Sequence, residues 1–160
     1  MDPLWAPWRK GYILQKPTKK CFICRVKSSS RDEANFVLKR TRHSLVILNI
    51  YPYNNGHLMV IPLRHVYSLD QLEDHELLDL MHLTNESIKR IRKVMKPHGL
   101  NVGINFGRVA GAGVLGHVHL HVVPRYSGDT NFMPVVGNAK IISEPLKSLY
   151  ERLRWRGAKP

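Results

Sequence analysis

His117-Val118-His119-Leu120-His121-Val122-Val123 alternates imidazole and aliphatic side chains. In extended backbone successive side chains point to opposite faces, so this run reads as a strand. His117, His119 and His121 are expected to project together, with Val118, Leu120 and Val122 on the other side. One histidine on a strand is ordinarily a polar surface residue, but three on one face are a candidate reactive site. Imidazole is a competent nucleophile toward phosphorus at neutral pH, and its neighbours can donate to phosphate oxygens. Just upstream lies the glycine-rich loop of residues 107–116, where the backbone N–H groups of Gly111, Ala112, Gly113 and Val114 are placed to cradle developing negative charge. The chemistry implied is nucleotidyl transfer.

Working outward from this run, residues 36–39 (Phe-Val-Leu-Lys) and 44–50 (Ser-Leu-Val-Ile-Leu-Asn-Ile) read as strands joined by a tight turn over residues 40–43. The loop Tyr51-Pro-Tyr-Asn-Asn-Gly56 leads into a third strand, His57-Leu-Met-Val-Ile-Pro62. Leu72, Leu77, Leu80, Met81, Leu83, Ile88, Ile91 and Val94 recur at helical spacing, which predicts one long helix from Ser68 or Asp70 to about Lys96. Pro97-His-Gly99 ends it, and Leu100-Asn-Val-Gly-Ile-Asn-Phe106 reads as the strand feeding the glycine loop. Residues 143–156 predict a short basic tail helix with Leu146, Leu149, Leu153 and Trp155 as its apolar stripe. The expected fold class is α+β, an antiparallel sheet of about five strands with a long and a short helix.

The 160 residues suit one domain, with a core over residues 21–126 and terminal extensions packed on it. No apolar run is long enough to span a bilayer and the first residues lack a signal-peptide layout, so a soluble cytoplasmic protein is expected. Lys and Arg number 25 against 12 acidic residues, for a formal charge of +13. Such a surface attracts phosphate-bearing ligands and holds nucleic acid only non-specifically. Nothing in the chain resembles an aromatic RNA-stacking motif.

The two cysteines, Cys21-Phe-Ile-Cys24, read in a reducing compartment as metal-binding or redox-active rather than as a disulfide. Redox catalysis also requires a strand-to-helix setting, whereas residues 27–33 after the motif are polar. Two buried reduced thiols acting as small hydrophobes are the bland alternative.

The run from Gly116 to Arg125 resembles the signature of the histidine-triad family, and Asn55-Gly-His-Leu-Met-Val-Ile-Pro-Leu-Arg-His65 resembles its upstream strand and turn. Asp2-Pro-Leu-Trp-Ala-Pro-Trp-Arg9 and Gly128-Asp-Thr-Asn-Phe-Met-Pro134 are similar to the ends of the branch that cleaves diadenosine polyphosphates, often by phosphorolysis. The resemblance implies that His119 is the nucleophile, that His121 binds the α-phosphate and the leaving side, and that His57 lies against the triad. It also implies that Asn49 anchors the ribose and Asn105 lines the phosphate site. Phe36, Leu38, Ile47 and Leu48 become candidates for the adenine slot or plain core, and Arg125 and Tyr126 for a second phosphate or distal base. Some relatives carry a glutamine where this chain has Gly113, so backbone donors would replace that amide. In some bacterial relatives, residues matching Cys21, Cys24, His65 and His117 hold a structural zinc. Relatives pair edge to edge as homodimers. The other histidines, His43, His75, His82 and His98, read as solvated. The expected activity is cleavage of a dinucleoside polyphosphate through a nucleotidyl-His119 intermediate. Alternatives are a nucleoside phosphoramidase and a non-catalytic nucleotide- or RNA-binding protein.

Overall fold

In the computed structural model, residues 21–114, 116–129 and 142–155 are described. The motif at residues 2–9, most of the one at 128–134, Leu115 and Arg156 lie outside them. The elements in chain order are α1 (Phe22–Lys27), β1 (Val37–Arg40), β2 (Ser44–Leu48), β3 (Leu58–Pro62), a 3-10 turn (Leu69–Gln71), α2 (Asp74–Met95), β4 (Gly99–Ile104), β5 (Leu120–Arg125) and α3 (Leu146–Leu153). Five antiparallel strands form one sheet in the order β1-β2-β3-β5-β4. This is the expected α+β class.

The period-2 rule explains why both faces of the central strands are buried. Val46, Leu48, Leu58, Val60, Leu120 and Val122 pack under α2 and α3, while Leu45, Ile47, Met59 and Ile61 pack under Ile23 and Val26 of α1. Two apolar layers thus sandwich one sheet.

Three expectations need correction. First, α2 starts at Asp74 rather than at residue 68 or 70. Pairing between the Glu73 and Glu76 side chains and backbones forms a capping box, and the preceding residues form only a 3-10 turn. Met81 is 49% exposed despite its place in the periodic pattern; Thr84 and Ser87 fill the inner face instead, their hydroxyls donating to the carbonyls of Leu80 and Leu83. Second, the sequence reading left out α1, whose single buried stripe is too short to show periodicity. Third, β5 begins at Leu120, so His117 and His119 precede the paired strand. Among the described residues no helix is long and apolar enough to cross a membrane.

At Gly56 the backbone takes φ +83°, a conformation that strains any residue with a Cβ, and a Cβ there would also have to displace the Met95 thioether 2.5 Å away, so the turn that delivers His57 favours glycine.

Candidate active site and metal-ligand cluster

Register sets the site. Met59 pairs with His121 and Leu58 with Val122. Because Leu58, Leu120 and Val122 face α2, His121 joins Met59 on the opposite face, the one covered by α1. There His57, His119 and His121 come together, with ring centroids 5.0 Å apart for His57 and His121 and 4.8 Å for His119 and His121. All three are buried, His57 almost completely.

Hydrogen bonding assigns a tautomer to each ring. The Tyr53 backbone N–H donates to Nδ1 of His57 at 3.0 Å, so neutral His57 carries its proton on Nε2. That Nε2–H donates to Nδ1 of His121 at 2.8 Å, which places the His121 proton on Nε2. Nε2 of His121 is buried without a partner among the described residues. On His119, Nδ1–H donates to the carbonyl of His117 at 3.0 Å and leaves the Nε2 lone pair without a partner among the described residues. Burial depresses all three pKa values. His57 falls to about 3, with His121 and His119 adding repulsion, and His121 falls to about 4, pushed further by His119. The cluster is therefore neutral at physiological pH, with one lone pair and one N–H donor available.

His117 is not part of this cluster. Its Nε2–H donates to the carbonyl of Pro62 at 2.8 Å, and its Nδ1 faces Cys21 Sγ at 3.6 Å and Cys24 Sγ at 3.7 Å. Nδ1 of His65 lies 3.2 Å from Cys24 Sγ, and the four ligand atoms all fall within 4.8 Å of one another. A tetrahedral zinc with the usual bond lengths has sulfur-to-nitrogen edges of about 3.6 Å, so the set fits such an ion. The carbonyl of Pro62 fixes the His117 tautomer that turns a lone pair toward the thiols. The expectation of three triad imidazoles lining one site is corrected accordingly. His117 faces the sulfurs, and His57 from the neighbouring strand is the third imidazole beside His119 and His121.

A cleft of about 380 Å³ opens beside His119 and His121. Asn49, Phe36, Ile47, Leu48, Gly113 and Val114 line it. Asn49 is held by the Tyr51 N–H donating to its Oδ1 at 2.9 Å, with its Nδ2 3.3 Å from Nδ1 of His57. Phe36 adopts a left-handed φ of +54°, a conformation costly for a bulky residue and tolerated where packing enforces it. Other expected residues lie elsewhere. Leu38 is in the α2-side core. Asn105 bridges its own loop by donating to Gly111, and Asn105, Gly111 and Ala112 are not among the cleft-lining residues. Tyr126 packs near His98, and Arg125 is paired with Asp129 and Asn101. His98 is not simply solvated, since its Nδ1 accepts from the Ser127 N–H. His43 and His75 stack edge-on at 4.5 Å. Missed by the sequence reading were Tyr51 and Tyr53 from the loop before His57 and Phe22, Arg25 and Val26 from α1, all of which line the cleft. The Tyr-Pro-Tyr spacing was the available signal for the first pair.

The HIT domain family model matches residues 30–128. The chain belongs to the HIT domain family. This HIT protein is 40% identical over 155 residues to a Mycobacterium tuberculosis protein named AP-4-A phosphorylase, covering 92% of this chain and 80% of that relative. It is 30% identical over 133 residues to the adenosine 5'-monophosphoramidase of Schizosaccharomyces pombe, covering 83% and 95%. A solved structure of a Zn-bound histidine triad family protein from Mycobacterium smegmatis matches with a TM-score of 0.67 at 26% identity, covering 84% of this chain and 91% of that one. The fold class read from the strand and helix patterns and the family implied by the resemblance of residues 116–125 and 55–65 are thereby both found.

Proposed function

We propose that this HIT protein cleaves dinucleoside polyphosphates such as diadenosine tetraphosphate by nucleotidyl transfer through His119, with inorganic phosphate as the preferred acceptor. The observation that carries this reading is the pairing of an unused Nε2 lone pair on His119 with an unpartnered Nε2–H on His121, in one cleft. In the first step Nε2 of His119 attacks the α-phosphorus. An N–P bond forms, the bridging P–O bond breaks, and its electron pair leaves on the oxygen of ATP. His121 Nε2–H donates to the phosphoryl oxygens as charge accumulates, and the Gly113 and Val114 segment adds backbone donors. In the second step a phosphate oxygen attacks the same phosphorus, the N–P bond breaks, and ADP leaves; water in its place would yield AMP. Asn49 is assigned to the ribose, and Phe36, Ile47 and Leu48 to the base. The acceptor choice is supported by the 40% identity to the relative named a phosphorylase.

Cys21, Cys24, His65 and His117 would hold zinc as a structural clip, since protein fills all four positions. We assign a homodimer formed along β4, which among the described residues pairs only with β5 and exposes Val102 to 46%. A cytoplasmic location suits the reduced thiols.

Incubating the protein with diadenosine tetraphosphate, with and without phosphate, and separating AMP, ADP and ATP tests the reaction. ADP and ATP formed only with phosphate are expected. AMP and ATP formed without phosphate would make it a hydrolase. No cleavage, with phosphoramidate turnover instead, would favour the activity named for the yeast relative. If His119→Ala turns over substrate like the wild type, the nucleophile assignment is wrong.

A further inference from the structure

The two cysteines sit at the start of and inside a helix that also lends three residues to the cleft. Cys21 precedes α1 and Cys24 lies within it, while Phe22, Arg25 and Val26 of the same six-residue helix line the cleft beside His119. A helix this short is marginal by itself and here has no side-chain N-cap. Its far end is pinned by Arg40, whose guanidinium donates to the carbonyls of Val26, Lys27 and Ser29, each at 3.0 Å, and to Asp32. Among the described residues the near end is held by the buried Ile23, by the partly buried Cys21 and Phe22 against the same core, and by the contacts of the two thiols with His65 and His117 already described, with no counterpart of the Arg40 clamp. The ligand set also reaches the glycine loop. A Cβ on Gly116 would lie 3.5 Å from Nε2 of His65, and Val114, which lines the cleft, packs in the same apolar cluster as Cys21 and Phe22.

We infer that the four-ligand cluster is a positioning device for the nucleotide cleft. The metal fastens the N-terminal end of α1 and thereby holds Phe22, Arg25 and Val26 as one wall, so metal occupancy sets nucleotide affinity. The inference rests on the nucleotide and zinc assignments made above. Cys21 and Cys24 act through α1 and touch no reacting atom. Fastening both ends of the wall before the ligand arrives removes an ordering cost from binding. Because the coupling is a free energy shared by two sites, it is reciprocal: nucleotide must tighten zinc by the factor by which zinc tightens nucleotide.

The test uses AMP as probe and calorimetric Kd as readout. The zinc-loaded protein is compared with protein stripped by chelation and with protein reloaded with Co²⁺, far-UV circular dichroism being recorded for each. Stripping is expected to raise the Kd for AMP about tenfold, Co²⁺ to restore it, and AMP to lower the zinc Kd by the same factor in a competition with a chromogenic chelator. In Phe22→Ala, which shortens the wall, the zinc-dependent change should shrink. Equal AMP affinity with and without metal overturns the inference alone. So does a zinc-dependent change of full size in Phe22→Ala, or loss of the whole far-UV signal on stripping, because the metal would then hold the fold and not this wall. No AMP binding by the loaded protein overturns the nucleotide reading and the inference with it.

Discussion

Nε2 of His57 lies 2.8 Å from Nδ1 of His121, and that single hydrogen bond decides which nitrogen of His121 faces the cleft with a proton. His57 is in turn fixed by the Tyr53 N–H, so a backbone donor in a loop sets the tautomer of a residue on another strand.

Replacing the His57 ring with one that has no donor tests this chain. His57→Phe should lower kcat about 10- to 100-fold, the range for loss of an orienting partner, while changing KM little. Steady-state kinetics on diadenosine tetraphosphate decide it. An unchanged kcat would mean that His121 needs no orientation from His57.

The buried imidazoles make stability depend on pH. His57 and His121 are held at about 3 and about 4, below the histidine value of the unfolded chain, so on acidification the unfolded state takes up protons that the native state refuses. Stability is therefore full above about pH 6.5 and falls as pH drops from there toward 4. At pH 5.5 each such histidine costs about 1.4 kcal/mol. Urea denaturation of wild type and His57→Phe between pH 8 and 5 should show the variant losing stability less steeply. Parallel curves would contradict the buried neutral assignment.

Metal content is directly countable. Protein expressed with zinc should carry one equivalent per chain by atomic emission. Cys21→Ser with Cys24→Ser should carry almost none and melt at least about 5 °C lower. Full zinc content in the double variant would place the metal elsewhere.

Glu76 links the turn after β3 to α2. It closes the capping box at Glu73 and accepts from Nε of Arg64 at 3.0 Å, and the Arg64 hydrogen bond first of all holds its carboxyl down at about 2. Glu76→Gln should destabilise by about 1–2 kcal/mol at pH 7. A carboxylate with a lowered folded pKa stabilises above its ordinary value near 4.5 and loses that contribution as pH falls toward 2. The difference between wild type and variant should therefore narrow on acidification, and a constant gap in thermal melts from pH 7 to 3 would rule this pairing out as its source.

At the β4 edge, Val102→Arg should turn the proposed dimer into a monomer by light scattering, since in that dimer the charge would be set against a partner strand. Wild-type protein that is already monomeric would remove the edge from consideration.

What the amino-acid order determined by itself was everything carried by local periodicity. Alternation from His117 to Val122, the apolar runs of β2 and β3 and the helical spacing from Leu77 to Val94 sufficed for the sheet and the long helix, while the family came from the likeness of the runs at residues 116–125 and 55–65 to its signature. Turn and cap chemistry blurred the edges, as where the capping box moved the start of α2 to Asp74. Periodicity alone could not decide which histidines keep company; the resemblance implied His57 beside the triad and His117 with the cysteines, and the tertiary structure shows how both arise. Alternation puts His117, His119 and His121 on one side of an extended chain. The paired strand begins at Leu120, however, so His117 was free to turn toward Cys21 and Cys24, and pairing with β3 brought His57 to His121 in its place. Likewise nothing local joins Cys21 and Cys24 to His65 and His117, or α1 to the cleft. Those contacts span up to 96 positions in the chain and exist because two apolar layers close on opposite faces of one sheet.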